Sequence, residues 1–166
     1  MENKKLKIRI LIILSLILLY FYYTNPNKFL KTYTGVKCRI NNDNYEEKVL
    51  VKFEGKYTKK TFSNNTFEGN LYINDYVLNN IKIEFSSNGN ASIKHNKNIN
   101  DDFEEHYGWI TMDKTKNYLV ILLPDTKKDS KCSGTAWTYE NGLIISAPAN
   151  SKKDAIKIAN KLLNVK

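Results

Sequence analysis

Hydrophobic positions along the 166 residues fall into three successive patterns. The first is an apolar run from Ile10 to Tyr23, broken only by Ser15. The second alternates with period two, which gives a strand one buried and one exposed face. It is carried by Val49, Val51 and Phe53, by Phe67, Gly69, Leu71 and Ile73, and by Ile81, Ile83 and Phe85. The third has a helical period: Ala155, Ile156, Ala159, Leu162 and Leu163 share one face, and Ser151 with Asp154 forms a short capping box.

Turn residues divide the alternating stretch into hairpins. Asn88-Gly89 precedes Ala91 to His95, and Asn-Gly is the strongest short hairpin signal. Asp113 to Asn117 separates Tyr107–Met112 from Tyr118–Leu123, where Val120-Ile121-Leu122-Leu123 lacks alternation and predicts cover on both faces. Glu140-Asn141-Gly142 predicts a third hairpin between Thr135–Tyr139 and Leu143–Ala147, ended by Pro148. Phe53-Glu54-Gly55 and Phe67-Glu68-Gly69 recur in adjacent segments, a hint of similar hairpins rather than a repeat.

The expected fold is mainly β: an antiparallel meander of about eight or nine strands, as a curved sheet, half-barrel or small barrel, with one C-terminal helix over about 151–164. A transmembrane helix precedes it. The expected domain plan is a basic tail (1–9), a signal-anchor helix (10–23), a juxtamembrane stalk (24–34) and an extracytoplasmic β-rich domain (35–166).

Roughly 18 residues of apolar helix, with flanking Lys and Arg stems snorkelling, reach about 27 Å, close to the thickness of a hydrocarbon core. Tyr20, Phe21, Tyr22 and Tyr23 then suit the lipid–water interface, and Pro26 stops the helix. A cleaved signal is the competing reading, but no A-x-A-like site follows the run, and no cysteine near its end offers a lipid attachment. Lys4, Lys5, Lys7 and Arg9 favour a single-pass cell-membrane protein with its N-terminus inside and the C-terminal domain outside, although Lys28, Lys31 and Lys37 weaken the contrast.

The formal charge of +9 changes this picture little. Only Arg9 and Arg39 are arginines, whereas phosphate-gripping proteins use guanidinium forks as well as lysines, so nucleic acid is not an expected partner. Membrane is expected through the N-terminal helix, and a protein or cell-envelope polymer is the further partner class.

Candidate chemistry is sparse. Cys38 and Cys132 can form a disulfide in an exported domain, and closing about 95 residues is worth roughly 4–5 kcal/mol on the chain-entropy model; the alternative is two unpaired thiols. Cys132 beside Lys131, with His95 or His106, is the nucleophilic alternative. Asp101, Asp102, Glu104, Glu105 and His106 are the densest acidic cluster, without calcium-loop or zinc spacing, and read as a solvated loop. Lys153, Lys157 and Lys161 recur every four residues as a basic ridge, suited to an anionic surface or to plain solvation. Tyr107, Trp109, Tyr118, Trp137 and Tyr139 supply aromatic surface that in a β-domain is first of all core. Phosphate-binding glycine loops, nucleophile elbows and C-x-x-C are missing from the sequence, and no catalytic residue, metal or cofactor is expected. The function expected is a non-enzymatic, membrane-tethered binding or interaction domain. A cell-envelope enzyme with a dispersed site and a small apolar-ligand carrier are the alternatives.

Overall fold

The computed structural model describes residues 2–41, 45–96, 104–124, 137–138 and 141–164. Helix α1 (Glu2–Thr24) leads almost directly into strand β1 (Asn27–Arg39), followed by β2 (Glu46–Thr58), β3 (Asn65–Ile73), β4 (Tyr76–Phe85), β5 (Asn90–Asn96), β6 (Glu104–Met112), β7 (Leu119–Leu123), β8 (Leu143–Ala147) and helix α2 (Lys152–Leu163). Leu6–Thr24 of α1 is long and apolar enough to cross a membrane, and none of its hydrophobic window is buried. A signal sequence meets the same criteria.

All eight strands form one sheet in the order β4-β3-β2-β1-β8-β7-β6-β5, antiparallel throughout. Apart from β4 and β5, consecutive strands pair with each other, and β8 returns to pair with β1. The two outer strands, β4 and β5, also lie side by side, so the sheet curls into a nearly closed barrel. Along that seam they share the turn bond from the Ser86 amide to the Asn90 carbonyl (2.9 Å) but no ladder. The mainly antiparallel fold with a C-terminal helix therefore matches the alternation and the terminal helical period.

Two local expectations are corrected. Residues 27–34 are strand rather than stalk: Asn27 pairs with Tyr57, and the ladder continues to Cys38 opposite Glu46. Tyr33 enters the core and Phe29 packs against it, an alternation obscured in sequence by Lys28, Lys31 and Thr32. Only Asn25 and Pro26 separate α1 from β1. The third hairpin also differs. Leu143–Ala147 is a strand, but β7 and β1 occupy its two edges, leaving no edge for a Thr135–Tyr139 partner. Trp137 and Thr138 are not in a strand, and residues 135–136 and 139–140 lie outside the described residues.

The barrel interior is filled. Phe53, Phe67, Leu71, Ile83, Ile110 and Ile121 are fully buried there, and the Phe53 and Phe67 rings meet edge-on with centroids 5.2 Å apart. Phe29 lies 5.9 Å from each of those rings and directly opposite Gly55 in the β1–β2 register. Gly55 in turn faces Gly69, and a Cβ on Gly55 would stand 2.2 Å from the Glu68 carbonyl oxygen. The two Phe-Glu-Gly segments thus meet at a close crossing of β2 and β3, with an aromatic ring covering the glycine gap. A bulge places Asn79 and Asn80 opposite Asn70, so Leu78 and Ile81 both point inward despite their spacing of three.

Helix α2 packs on the outside of β8, β1 and β7. Ala155 and Ala159 sit over Val36, Cys38, Val120 and Ile144, which explains why the strand around Val120 is apolar on both faces. Ile158 joins Leu162 and Leu163 on this buried face; Ile156, read as part of it from sequence, is not in the cluster.

Candidate binding site at the barrel mouth

The end of the barrel where α1 enters is built from the β2–β3, β4–β5 and β6–β7 connections. A concavity of about 310 Å³ opens there, with Tyr57, Phe85 and Met112 beneath and Lys59, Asn65, Ser86, Ser87, Lys114 and Lys116 among the residues around it. Tyr23, from the last turn of α1, completes the rim. Lys59 Nζ lies 5.4 Å from the Tyr23 ring centroid, so the β2–β3 connection folds back against the helix. Near the tip of that connection, Phe62 is 92% exposed.

Asp113 organises the β6–β7 turn. Its carboxylate accepts hydrogen bonds from the amides of Thr115 (3.1 Å), Asn117 (2.7 Å) and Tyr118 (2.7 Å), and from the Thr115 hydroxyl. Burial pushes the Asp113 carboxyl up, but those bonds outweigh it and hold the group below its ordinary value. The turn forces Lys116 into left-handed backbone at φ 57°. There its Nζ sits 3.7 Å from the Tyr57 ring centroid and 5.8 Å from that of Phe29, a cation over aromatic faces.

Two more groups tie β1 to this turn. Lys31 Nζ donates to the Lys116 carbonyl and to Asn117 Oδ1 (3.0 Å), and the Tyr33 hydroxyl donates to the same carbonyl (2.7 Å). Burial, then the like charges of Lys59 and Lys31, lower the Lys116 pKa below the usual lysine value. The mouth therefore concentrates positive charge while its nearest carboxylate is committed to backbone amides. Chemically it suits an anion, with hydroxyl and amide groups from Ser86, Ser87 and Asn65 alongside.

The residues singled out from sequence are dispersed. Tyr20, Phe21, Tyr22 and Tyr23 are exposed on α1, and Tyr23 alone among them lines the mouth. Lys153, Lys157 and Lys161 are exposed on α2, with Lys161 Nζ 5.2 Å from the Tyr118 ring centroid. Cys38 is fully buried under α2, where burial raises its thiol pKa and Lys152 opposes the rise. Its proposed partner Cys132 lies outside the described residues, as do Lys131, Asp101, Asp102 and Tyr139. Glu104 and Glu105 fall in β6.

His106 Nδ1 is 3.2 Å from Ser92 Oγ and its ring meets Trp109 edge-on at 4.3 Å; His106 Nε2 and His95 Nδ1 are buried without a hydrogen-bond partner. Tyr107 turns inward and stacks on Tyr76 at 5.6 Å, while Trp137 donates from Nε1 to the Leu143 carbonyl (3.1 Å). Among the described residues no three His, Cys, Asp or Glu side chains are grouped to hold a metal ion.

Sequence reasoning missed the mouth because its parts come from the helix end and three separate connections. The available signal was local: Lys59-Lys60-Thr61-Phe62-Ser63-Asn64 puts one aromatic in an otherwise polar, basic connection. No protein-family model matches the chain, and neither a curated protein nor a solved structure is found to be similar to it.

Proposed function

We propose that this protein is a membrane-tethered, non-enzymatic binding domain, held outside the membrane by α1 and presenting the mouth of its barrel as the binding surface. The observation that carries this reading is the contrast between a barrel interior filled by packed side chains and a cationic concavity at the end beside α1. A filled interior does not suit carriage of an apolar ligand, which needs an enclosed apolar cavity. Cys132, the nucleophile of the enzymatic alternative, lies outside the described residues, and Cys38 is buried under α2. Lys4, Lys5, Lys7 and Arg9 in the first turns of α1, and the length of its apolar part, support insertion with the N-terminus inside.

A photoreactive amino acid placed at Ser87 on the rim should yield a discrete adduct in intact cells, and one at Asp75 on the opposite turn should not. Protease added to those cells should digest the barrel. Adducts equally frequent at both positions would overturn the binding surface, and a barrel protected from external protease would overturn its placement.

A further inference from the structure

We propose that the barrel mouth is seated on the bilayer into which α1 inserts, with anionic lipid headgroups held by Lys59, Lys114 and Lys116 and Phe62 dipping below them; this rests on the reading of α1 as a membrane anchor. Four observations converge on that occupant.

The first is distance. Asn25 and Pro26, the only residues between α1 and β1, span about 7 Å even when fully extended, comparable to the roughly 5–8 Å headgroup layer of one leaflet. The end of the barrel that α1 enters cannot stand clear of the surface. The second is contact with the helix end: Lys59 reaches the ring of Tyr23, one of the aromatics placed at the interface, so the β2–β3 connection lies at headgroup depth.

The third is Phe62. An aromatic side chain 92% exposed near a loop tip has no packing role in the barrel, whereas beside a bilayer its ring enters the acyl boundary while neighbouring Lys59 and Lys60 stay among the headgroups. The fourth is charge. Lys59, Lys114 and Lys116 share the concavity, and the carboxylate there, Asp113, is engaged by Thr115, Asn117 and Tyr118. Glu84 lies in the field of Lys60 but is paired with Lys82 at 2.8 Å. A lipid phosphate would offset the mutual repulsion of Lys116, Lys59 and Lys31. Each lysine close to an anionic surface adds about fivefold to the affinity.

The test uses the full chain in nanodiscs of phosphatidylcholine alone or with phosphatidylglycerol, and follows lysine acetylation site by site. Lys59 and Lys114 should react about threefold more slowly in the anionic discs, with protection lost in high salt, while Lys48 and Lys82 on the barrel wall should be unchanged. Equal rates at Lys59 and Lys114 in the two discs would overturn the proposal. Glycerol phosphate added to phosphatidylcholine discs should give little protection; protection equal to that of the anionic lipid would assign the site to free phosphate and reject the bilayer.

Phe62→Trp provides a second readout, because brominated acyl chains should quench its fluorescence above the background of Trp109 and Trp137. Absence of that extra quenching would place the loop in water and reject the seating. The wider binding reading is tested separately: a protein or polymer adduct at Ser87 without lysine protection would keep that reading and remove this one.

Discussion

Phe29 shows how one side chain can decide a local arrangement. Its ring stands over the Gly55–Gly69 crossing and against Phe53, Tyr57 and Phe67, so removing it would open a void where no neighbouring Cβ can move in. Phe29→Ala should cost about 2–3 kcal/mol in a denaturant titration of the detergent-solubilised chain, at or below the range for a fully buried ring because Phe29 is only half-buried. A loss of a few tenths would show that the gap closes by strand movement. Tyr107 contributes to an alkaline limit, as do Tyr33 and Tyr57, whose hydroxyls burial also raises: burial, with a smaller effect of Tyr76, holds the Tyr107 hydroxyl up to about 12. An unfolded tyrosine ionises near 10, so between those values the native state retains the proton that the unfolded state has lost, and stability falls as pH rises through that window. Lys116 acts in the opposite sense, since its lowered pKa lets the native state shed a proton first. Tyr107→Phe should flatten the alkaline decline in melting temperature, and an unchanged alkaline limb would move responsibility to another group.

At the scale of elements, α2 depends on its ends as well as its face. Ser151 Oγ accepts from the Asp154 amide (3.3 Å) and donates to the Asp154 carboxylate (2.9 Å). Ser151→Ala should therefore lower stability by about 1 kcal/mol in the same titration, with the dimension of the barrel unaltered. Ala155→Leu should cost about 1–3 kcal/mol, because Val36, Val120 and Ile144 leave no space beneath it; a neutral result would mean the helix can lift without penalty. Much of this layout is legible in the sequence. Alternation exposes the inward rows of β2, β3 and β4, and the unbroken Val120–Leu123 run reports cover on two faces. The remainder depends on partners distant in sequence. β1 begins among lysines and threonines, and its inward row at Phe29 and Tyr33 becomes meaningful only once β2 lies alongside. The Asn79–Asn80 bulge breaks the period that would have announced Leu78. The mouth is assembled from connections whose residues have no period at all.

For the whole molecule, the junction at Asn25 and Pro26 couples the helix to the barrel. A flexible Gly/Ser insertion after Asn25 should leave barrel melting unchanged, because no ladder bond is touched, and should weaken headgroup protection at Lys59 as the local concentration of bilayer falls. Protection that survives a long insertion would show that the mouth binds lipid without help from the tether. The unlaced seam between β4 and β5 has a different consequence. Every other neighbouring pair of strands is stitched by a ladder, so the backbone amides facing that line lack the cross-strand bonds that slow deuterium uptake elsewhere. Exchange should begin along this one meridian and spread outward, and a hinge-like opening there would expose the aromatic filling without breaking a single ladder. The protein is thus a rolled sheet with a built-in line of weakness, and the Lys82–Glu84 pair on β4 leaves charge, rather than bare apolar edge, guarding it against a strand from another chain.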